Sequence, residues 1–511
     1  MLSKIKSSSF SGLDVSPIDV EVDLSNGLPA MNIVGLADIE VKESKERVRA
    51  AIKNSSFEFP LKRITINLAP ADAKKEGTHY DLPIAIGILK ASGQIKKELA
   101  IEDHFILGEL SLDGKINRIK GVLPMLLGMQ GIGISKVLLP MDNLSEGKYV
   151  PGIECIGVET LKDLVDYLNG ELELSVQIGR RTENFKMIEG VLDFNDIMGQ
   201  ENLKRAMEIA AAGSHNLLMI GPPGSGKTMA ARRLPSILPR MSYEEAIEVT
   251  KIYSVAGLLD PKEGLVSLRP FRSPHHTISN VALTGGGRIP KPGEVSLSHN
   301  GVLFLDELPE FNKMALEVLR QPIEDGEISV SRVNGSFTFP SKFMLVASMN
   351  PCPCGFFGTK SENQCSCSHQ HIKRYLGKIS GPLLDRIDLI VETASVEFVD
   401  LAGKSKSESS ETIRNRVEAA REAQRKRYEE SGFLNNSQLT PAAIRKHCKL
   451  DSEAKNLMEV AFNKLKLSGR GYNRVLKVAR TIADLDGSPS IQVEHISEAL
   501  QYRNGSQFFK F

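Results

Sequence analysis

Gly221-Pro222-Pro223-Gly224-Ser225-Gly226-Lys227-Thr228 follows a short apolar run at 217–220 and opens a helical stretch at 228–234. The octet matches G-x-x-x-x-G-K-[ST] at every fixed position. Its glycines let backbone N–H groups close on phosphate oxygens, and the following helix turns its positive end toward them. Lys227 is placed to neutralise β- and γ-phosphates, and the Thr228 hydroxyl to ligate Mg²⁺. ATP and Mg²⁺ are therefore the expected cofactors. Strand, loop and helix in this order imply an α/β core built on a parallel sheet.

Outward from the octet, a second continuous apolar run at 302–305 delivers Asp306 and Glu307. Such runs suit parallel strands buried on both faces. Asp306 can enter the metal shell, and Glu307 can polarise an attacking water. A third run at 343–347 leads to Asn350, which can position that water or simply form a turn before Pro351. Further on, Gly381-Pro382-Leu383-Leu384-Asp385-Arg386-Ile387-Asp388 offers an arginine that can meet transferring phosphoryl charge or pair with a neighbouring aspartate.

The order phosphate loop, Asp-Glu strand, Asn strand end, arginine and helical lid resembles the AAA+ ATPases. That resemblance makes Asn350 sensor 1, Arg386 the arginine finger and Arg474 sensor 2, with Arg320 and Arg374 competing for the finger and Arg470 for sensor 2. A finger acts across a subunit boundary, so the resemblance implies a ring, a homo-hexamer. Two inserts extend it. Arg269-Pro270-Phe271-Arg272-Ser273-Pro274-His275-His276-Thr277 lies between the phosphate loop and Asp306. Asn334-Gly335 between the alternating arms of 328–339 signals a two-residue hairpin with Arg332 near its tip. Such inserts resemble the clade of magnesium chelatase motors and MCM-type helicases, which makes Arg332 a candidate DNA contact; the alternative is a solvated hairpin arginine.

Cys352-Pro353-Cys354, ten residues, then Cys365-Ser366-Cys367 gives two short-spaced thiol pairs that suit one structural Zn²⁺, with His369 and His371 as spare ligands.

Residues 1–175 alternate apolar runs (15–24, 64–68, 137–139) with helical stretches (39–54, 84–91), a mixed α/β pattern. Residues 70–89 and 108–124 resemble a Lon-type protease domain, but Ile84 stands at the serine position and Leu123 at the lysine position. A Ser–Lys dyad needs a hydroxyl and an amine, so the domain is expected to lack peptidase activity. Lys42, Lys45, Arg47 and Arg49 make a basic run interleaved with glutamates, most simply a solvated face.

The expected fold class is α/β: a Lon-protease-like N-terminal domain (1–175), a linker (176–190), a P-loop AAA+ parallel-sheet core (191–400) carrying the cysteine insert (352–371), and a C-terminal helical lid (401–511). Its 511 residues suit about three domains. Lys plus Arg (64) balance Asp plus Glu (63), so net charge votes neither for nor against nucleic acid. No run of ~18 apolar residues or secretory leader is present, which points away from membranes and toward the cytoplasm. Six cysteines in so long a chain do not form a disulfide framework.

The whole order resembles the YifB/ComM family, on stretches 27–37, 272–277, 293–308 and 474–484. The resemblance implies an ATP-driven ring that migrates branched DNA and helps single strands integrate during natural transformation. The alternative is a chelatase-type motor that remodels a protein, and a peptidase is disfavoured by Ile84 and Leu123.

Overall fold

The computed structural model describes the chain except for residues 72–73, 97–100, 102–103, 182–191, 288–289, 333–334, 359–363, 395–407 and 505–511. The chain forms two compact units: Met1–Phe185 with Ser242–Ser267, and Lys186–Met241 with Leu268–Phe511.

In the first unit, β1 (Leu2–Ser11), β2 (Asp14–Ser25), β3 (Ala30–Val34), β4 (Arg63–Ala69) and β5 (His104–Ile106) precede a two-residue pair, β6 (Glu109–Leu110) and β7 (Ile116–Asn117). β8 (Lys136–Pro140), β9 (Glu154–Val158) and β10 (Ser175–Ile178) follow. Eight of these make one mixed sheet in the order β10-β9-β8-β5-β1-β2-β4-β3. Side chains alternate across a strand, so the buried Ile18, Val20, Val22 and Leu24 of β2 share one face. The apolar helix Asp81–Ala91 packs there, with Ile84 and Leu89 fully buried. The helix Ile39–Asn54 starts where the Asp38 carboxylate accepts from Val41 N–H at 2.8 Å. From this helix Arg47 forks onto the buried Asp81 at 2.6 and 3.0 Å, so one member of the basic run is tied inward. Burial raises Asp81 to about 6, and Arg47 offsets that rise.

Ile84 and Leu123 are both fully buried in apolar helices, so neither position offers a nucleophile or a base. His79, beside that helix, is buried and hydrogen-bonds to the Ser8 carbonyl at 2.9 Å; burial lowers it to about 4 from 6.5. A folded pKa below the unfolded value means the unfolded chain binds the proton first. The contribution of His79 to stability is thus lost as pH falls from 6.5 toward 4, by about 2 kcal/mol between pH 7 and pH 5, and is partly offset by Asp81, whose raised folded value acts in the opposite sense. Protection factors across Asp81–Ala91, which divide out the slowing of intrinsic exchange toward acid, should fall more steeply over that range in the intact chain than in His79→Gln. An unchanged pH dependence in His79→Gln would show that this histidine does not carry it.

Two segments differ from the sequence reading. Residues 176–178, read as linker, pair with β9 as the edge strand β10. Three of its four residues are exposed, so it carries no alternation to read. The remainder, from 182, lies outside the described residues. Second, 242–267, read as part of the ATPase core, belongs to the first unit. Its helix Tyr243–Ala256 has the Ser242–Glu245 capping box and meets the helix Val122–Gly131. There Gly121 N–H donates to the Ser254 carbonyl at 3.1 Å, while the buried Glu146 accepts from Ser254 Oγ at 2.8 Å and Leu123 N–H at 3.0 Å. Helical periodicity says that one face is buried, not against which body.

The second unit is built on a wholly parallel sheet: β11 (Leu217–Ile220), β12 (Phe271–Arg272), β15 (Val302–Leu305), β18 (Met344–Met349) and β19 (Leu389–Glu392), in the order β12-β15-β18-β11-β19. Between β12 and β15 lies a small pair, β13 (Gly285–Gly286) with β14 (Lys291–Pro292). Between β15 and β18 lies the hairpin β16 (Glu327–Arg332) with β17 (Gly335–Pro340). All residues of β11, β15 and β18 are buried, as their unbroken apolar runs require. The helices Ser410–Tyr428, Ser452–Leu465, Gly469–Leu485 and Val493–Asn504 pack into the same core as the sheet's Leu217, Phe304 and Val346. The third of these begins five residues before Arg474, because the Ser468 hydroxyl caps Gly471 N–H at 3.1 Å and outweighs two glycines in the first turn. No helix among the described residues is long and apolar enough to cross a membrane.

Candidate nucleotide-binding site

The phosphate loop leaves the C-terminal end of β11 and enters the helix Lys227–Arg233. Gly226 has φ +84°, a left-handed conformation that only glycine adopts without strain, and it aims the helix start into the loop. Lys227 is 8% exposed. Its Nζ donates to the carbonyls of Gly221 and Pro222 at 2.8 Å each, and lies 3.3 Å from Ser225 Oγ and 3.4 Å from Asn350 Oδ1. Burial lowers the ammonium to about 8, against the pull of Asp306 and Glu307.

β15 and β18 deliver the acids and the amide, because parallel strands end at the same edge of the sheet. Asp306 Oδ2 accepts from Thr228 Oγ1 at 2.7 Å, which joins the two groups expected to share a metal. Its other oxygen accepts from the Ser348 hydroxyl and, at 3.1 Å, from Glu307 N–H. Ser348 went unread in the sequence; its signal is one hydroxyl in an otherwise apolar β18. Glu307 has φ +54°, a left-handed backbone that swings its side chain clear of the strand, and the carboxylate is 58% exposed. His276 Nδ1 lies 3.9 Å from it, which gives the insert around Arg272 a place beside the Glu307 carboxylate. Arg272 itself forks onto Glu294 at 2.6 and 2.7 Å and so fixes the insert. Thr393, at the end of β19, hydrogen-bonds Ser225 Oγ at 2.9 Å and was likewise missed.

Arg386 and Arg474 stand apart from this group. Arg386 precedes β19, and its backbone carbonyl accepts from Asn216 Nδ2 at 2.8 Å, just before β11 begins. That is the N-terminal edge of the sheet, and the phosphate loop is at the C-terminal edge, about 13 Å away along four residues of strand. Its guanidinium pairs with Glu324 and donates to the Pro382 carbonyl at 2.6 Å. Arg386, Arg320, Glu317, Glu324 and Ile328 line an open cleft of about 530 Å³. Arg474 lies at the same far edge, 3.8 Å from Asp388 and 3.9 Å from Asp385, and burial holds it below the ordinary arginine value. Neither arginine is therefore brought to the phosphate loop of its own chain. Arg332 ends β16, and its side chain lies outside the described residues, as does the Asn334 turn.

The four cysteines converge. Sγ–Sγ separations are 3.3 Å for Cys352–Cys354, 3.7 Å for Cys352–Cys365 and 3.6 Å for Cys354–Cys365, and all four sulfurs lie within 4.8 Å of one another. Tetrahedral zinc with bonds near 2.3 Å places sulfurs about 3.8 Å apart, so the donor set fits such an ion. Phe357 N–H donates to Cys352 Sγ at 3.4 Å, and the Phe356 N–H holds Cys354 below the usual thiol value, at about 6. His369 and His371 lie on the following helix, His369–Leu376, outside the thiol cluster.

Comparison with known proteins agrees with this architecture. Residues 20–143 match the family described as subunit ChlI of Mg-chelatase, 193–401 match magnesium chelatase subunit ChlI, and 407–503 match its C-terminal part. The chain is 45% identical over 497 residues to competence protein ComM of Haemophilus influenzae, covering 96% of this chain and 95% of the relative. It is 44% identical over 496 residues to YifB of Escherichia coli, covering 96% and 95%. The magnesium-chelatase 38 kDa subunit of Cereibacter sphaeroides is 28% identical over 174 residues, covering 31% of this chain and 52% of that one. A parallel-sheet phosphate-loop site and near-complete alignment to these relatives lead to one assignment: the chain belongs to the YifB/ComM family of magnesium-chelatase-type AAA+ proteins.

Proposed function

We propose that this protein is an ATP-driven ring motor that acts on DNA, a branch-migration helicase that promotes integration of single strands. ATP hydrolysis rests on the site around Lys227. Lys227 binds the phosphates, Thr228 and Asp306 would hold Mg²⁺, Glu307 orients the attacking water, and Asn350 reports on the γ-phosphate. When bound, Mg²⁺ would supply charge neutralisation for the phosphates. Arg386 and Arg474, at the opposite edge of the sheet, complete the site of a neighbouring subunit; this is the reason for a closed ring, with six copies as the expected number. Zn²⁺ on Cys352, Cys354, Cys365 and Cys367 is part of this reading, and a reducing cytoplasm would keep those thiols available.

The observation that carries the DNA assignment is the hairpin β16–β17, inserted between the strand of Asp306 and the strand of Asn350. An element between those two strands moves with the catalytic groups and can push on a polymer held in a ring. The printed name of the Haemophilus influenzae relative, a competence protein, supports the same direction. The chelatase-type alternative, a motor acting on protein, rests on the ChlI matches, but the magnesium-chelatase subunits are only 24–28% identical over 31–60% of the chain, against 45% over 96% for the competence protein.

Single-stranded or branched DNA should stimulate ATP hydrolysis, and its binding should weaken steeply with salt as phosphate contacts release counterions. Arg332→Ala should lower DNA affinity and reduce the salt slope by about 1. ATPase that ignores DNA, together with no detectable junction binding at low salt, would favour the protein-remodelling alternative.

A further inference from the structure

The cysteine cluster lies against the phosphate loop, and its position carries more than a structural role. Cys352 is two residues beyond Asn350, whose side chain is 3.4 Å from Lys227 Nζ. Cys352 is fully buried, in the same apolar cluster as Leu305 and Met349 at the ends of β15 and β18. Gly355, in the turn after Cys354, has φ +88°. A Cβ at Gly355 would stand 2.4 Å from Pro223 Cδ and 2.8 Å from Pro223 Cγ. The backbone of the thiol turn therefore rests directly on the ring of Pro223, inside the phosphate-binding octet. The second thiol pair leads within one residue to Ser368, which caps the helix His369–Leu376. From that helix Tyr375 packs into the same apolar cluster as Cys352 and Met349. A metal held by the four sulfurs would thus close a loop of chain with Pro223 and Asn350 on its border.

We propose that the metal-thiolate site is a brace for the phosphate loop: the ion fixes the 352–355 turn, the turn holds Pro223, and metal occupancy thereby sets affinity for the nucleotide. The inference rests on the zinc and ATP assignments above and adds regulation of that same site. The physical reason is local. Within the octet Pro222 is buried, but Pro223 and Gly224 are exposed, with Gly224 at φ +76°. Ordering such a loop costs conformational entropy each time a phosphate is bound, and a pre-ordered neighbour lowers that cost. Without the ion the four thiols have no shared centre, and the turn is free to leave the proline.

Three full-length proteins test this, each assayed for zinc by elemental analysis and for binding of a fluorescent ATP analogue with Mg²⁺. Wild type is expected to hold one zinc per chain. Cys365→Ser/Cys367→Ser is expected to hold none and to bind the analogue about 10-fold more weakly, since loss of a pre-ordered loop raises the ordering cost. Gly355→Ala leaves all four thiols, so zinc should remain, yet the added methyl meets Pro223 and affinity should again fall about 10-fold. Zinc-free wild type would remove the metal assignment. Zinc-loaded wild type with unchanged affinity in Gly355→Ala would overturn the brace and leave the metal in place. Should the double serine variant fail to fold, wild type stripped of zinc by a chelator serves as the zinc-free arm, and unchanged affinity there would overturn the brace.

Discussion

A chain carrying Lys227→Ala is expected to hydrolyse ATP at least ~100-fold more slowly than wild type and to leave a synthetic four-way DNA junction unmoved. Lys227 is the buried cation of the octet, and its ammonium already sits among the loop carbonyls, Ser225 and Asn350. A charge aimed at the developing phosphoryl oxygens from a water-poor site is worth far more than the same charge in water, and removing one such donor costs about 10²–10³ in rate. Burial sets the wild-type lysine at about 8, so ATP affinity should weaken as pH rises through that value and the cation is lost. Phosphate release, with circular dichroism to confirm the fold, reads both. A Lys227→Ala protein that retained a tenth of wild-type activity would exclude this octet as the reaction centre.

The second large effect belongs to Arg386. Arg386→Ala should still bind ATP but lose hydrolysis by about 10³-fold or more, the scale of an arginine supplied in trans. Its position at the N-terminal edge of the sheet makes a stronger claim testable. Lys227→Ala and Arg386→Ala chains are each inactive, but each keeps the half that the other lacks. In a random equal mixture about a quarter of subunit boundaries would join an intact loop to an intact finger, because closed rings use one repeated interface. Mixing should therefore restore activity that neither protein has alone. Loss of ATP binding in Arg386→Ala, or no recovery on mixing, would assign Arg386 a structural role through Glu324. Arg320 shares the same cleft, and Arg320→Ala is the control for a competing finger.

Much of the site was legible because its signals are local. The octet, the acids after an apolar strand and the paired thiols each depend on residues adjacent in sequence. The structure unites them as Thr228 with Asp306, Lys227 with Asn350, and four sulfurs around one point. Ser348, Thr393 and His276 were not legible in this way. Their roles come from neighbours 42, 168 and 31 positions away, set by strand order and by the course of an insert. The same limit applies to 242–267, whose helix reads correctly as amphipathic but finds its apolar partner on Val122–Gly131.

By itself the sequence determined the chemistry available to this protein: a phosphate-binding loop, two acids, an amide, a four-thiol set, and an N-terminal domain whose Ile84 and Leu123 cannot hydrolyse a peptide. Side-chain type and short spacing suffice for those conclusions. Tertiary structure alone decided which groups share a site. Parallel strands collect Lys227, Asp306, Glu307 and Asn350 at one edge of the sheet and leave Arg386 and Arg474 at the other. It also decided that the thiol turn bears on Pro223, because side chains meet according to the pairing of distant strands, which no local pattern encodes.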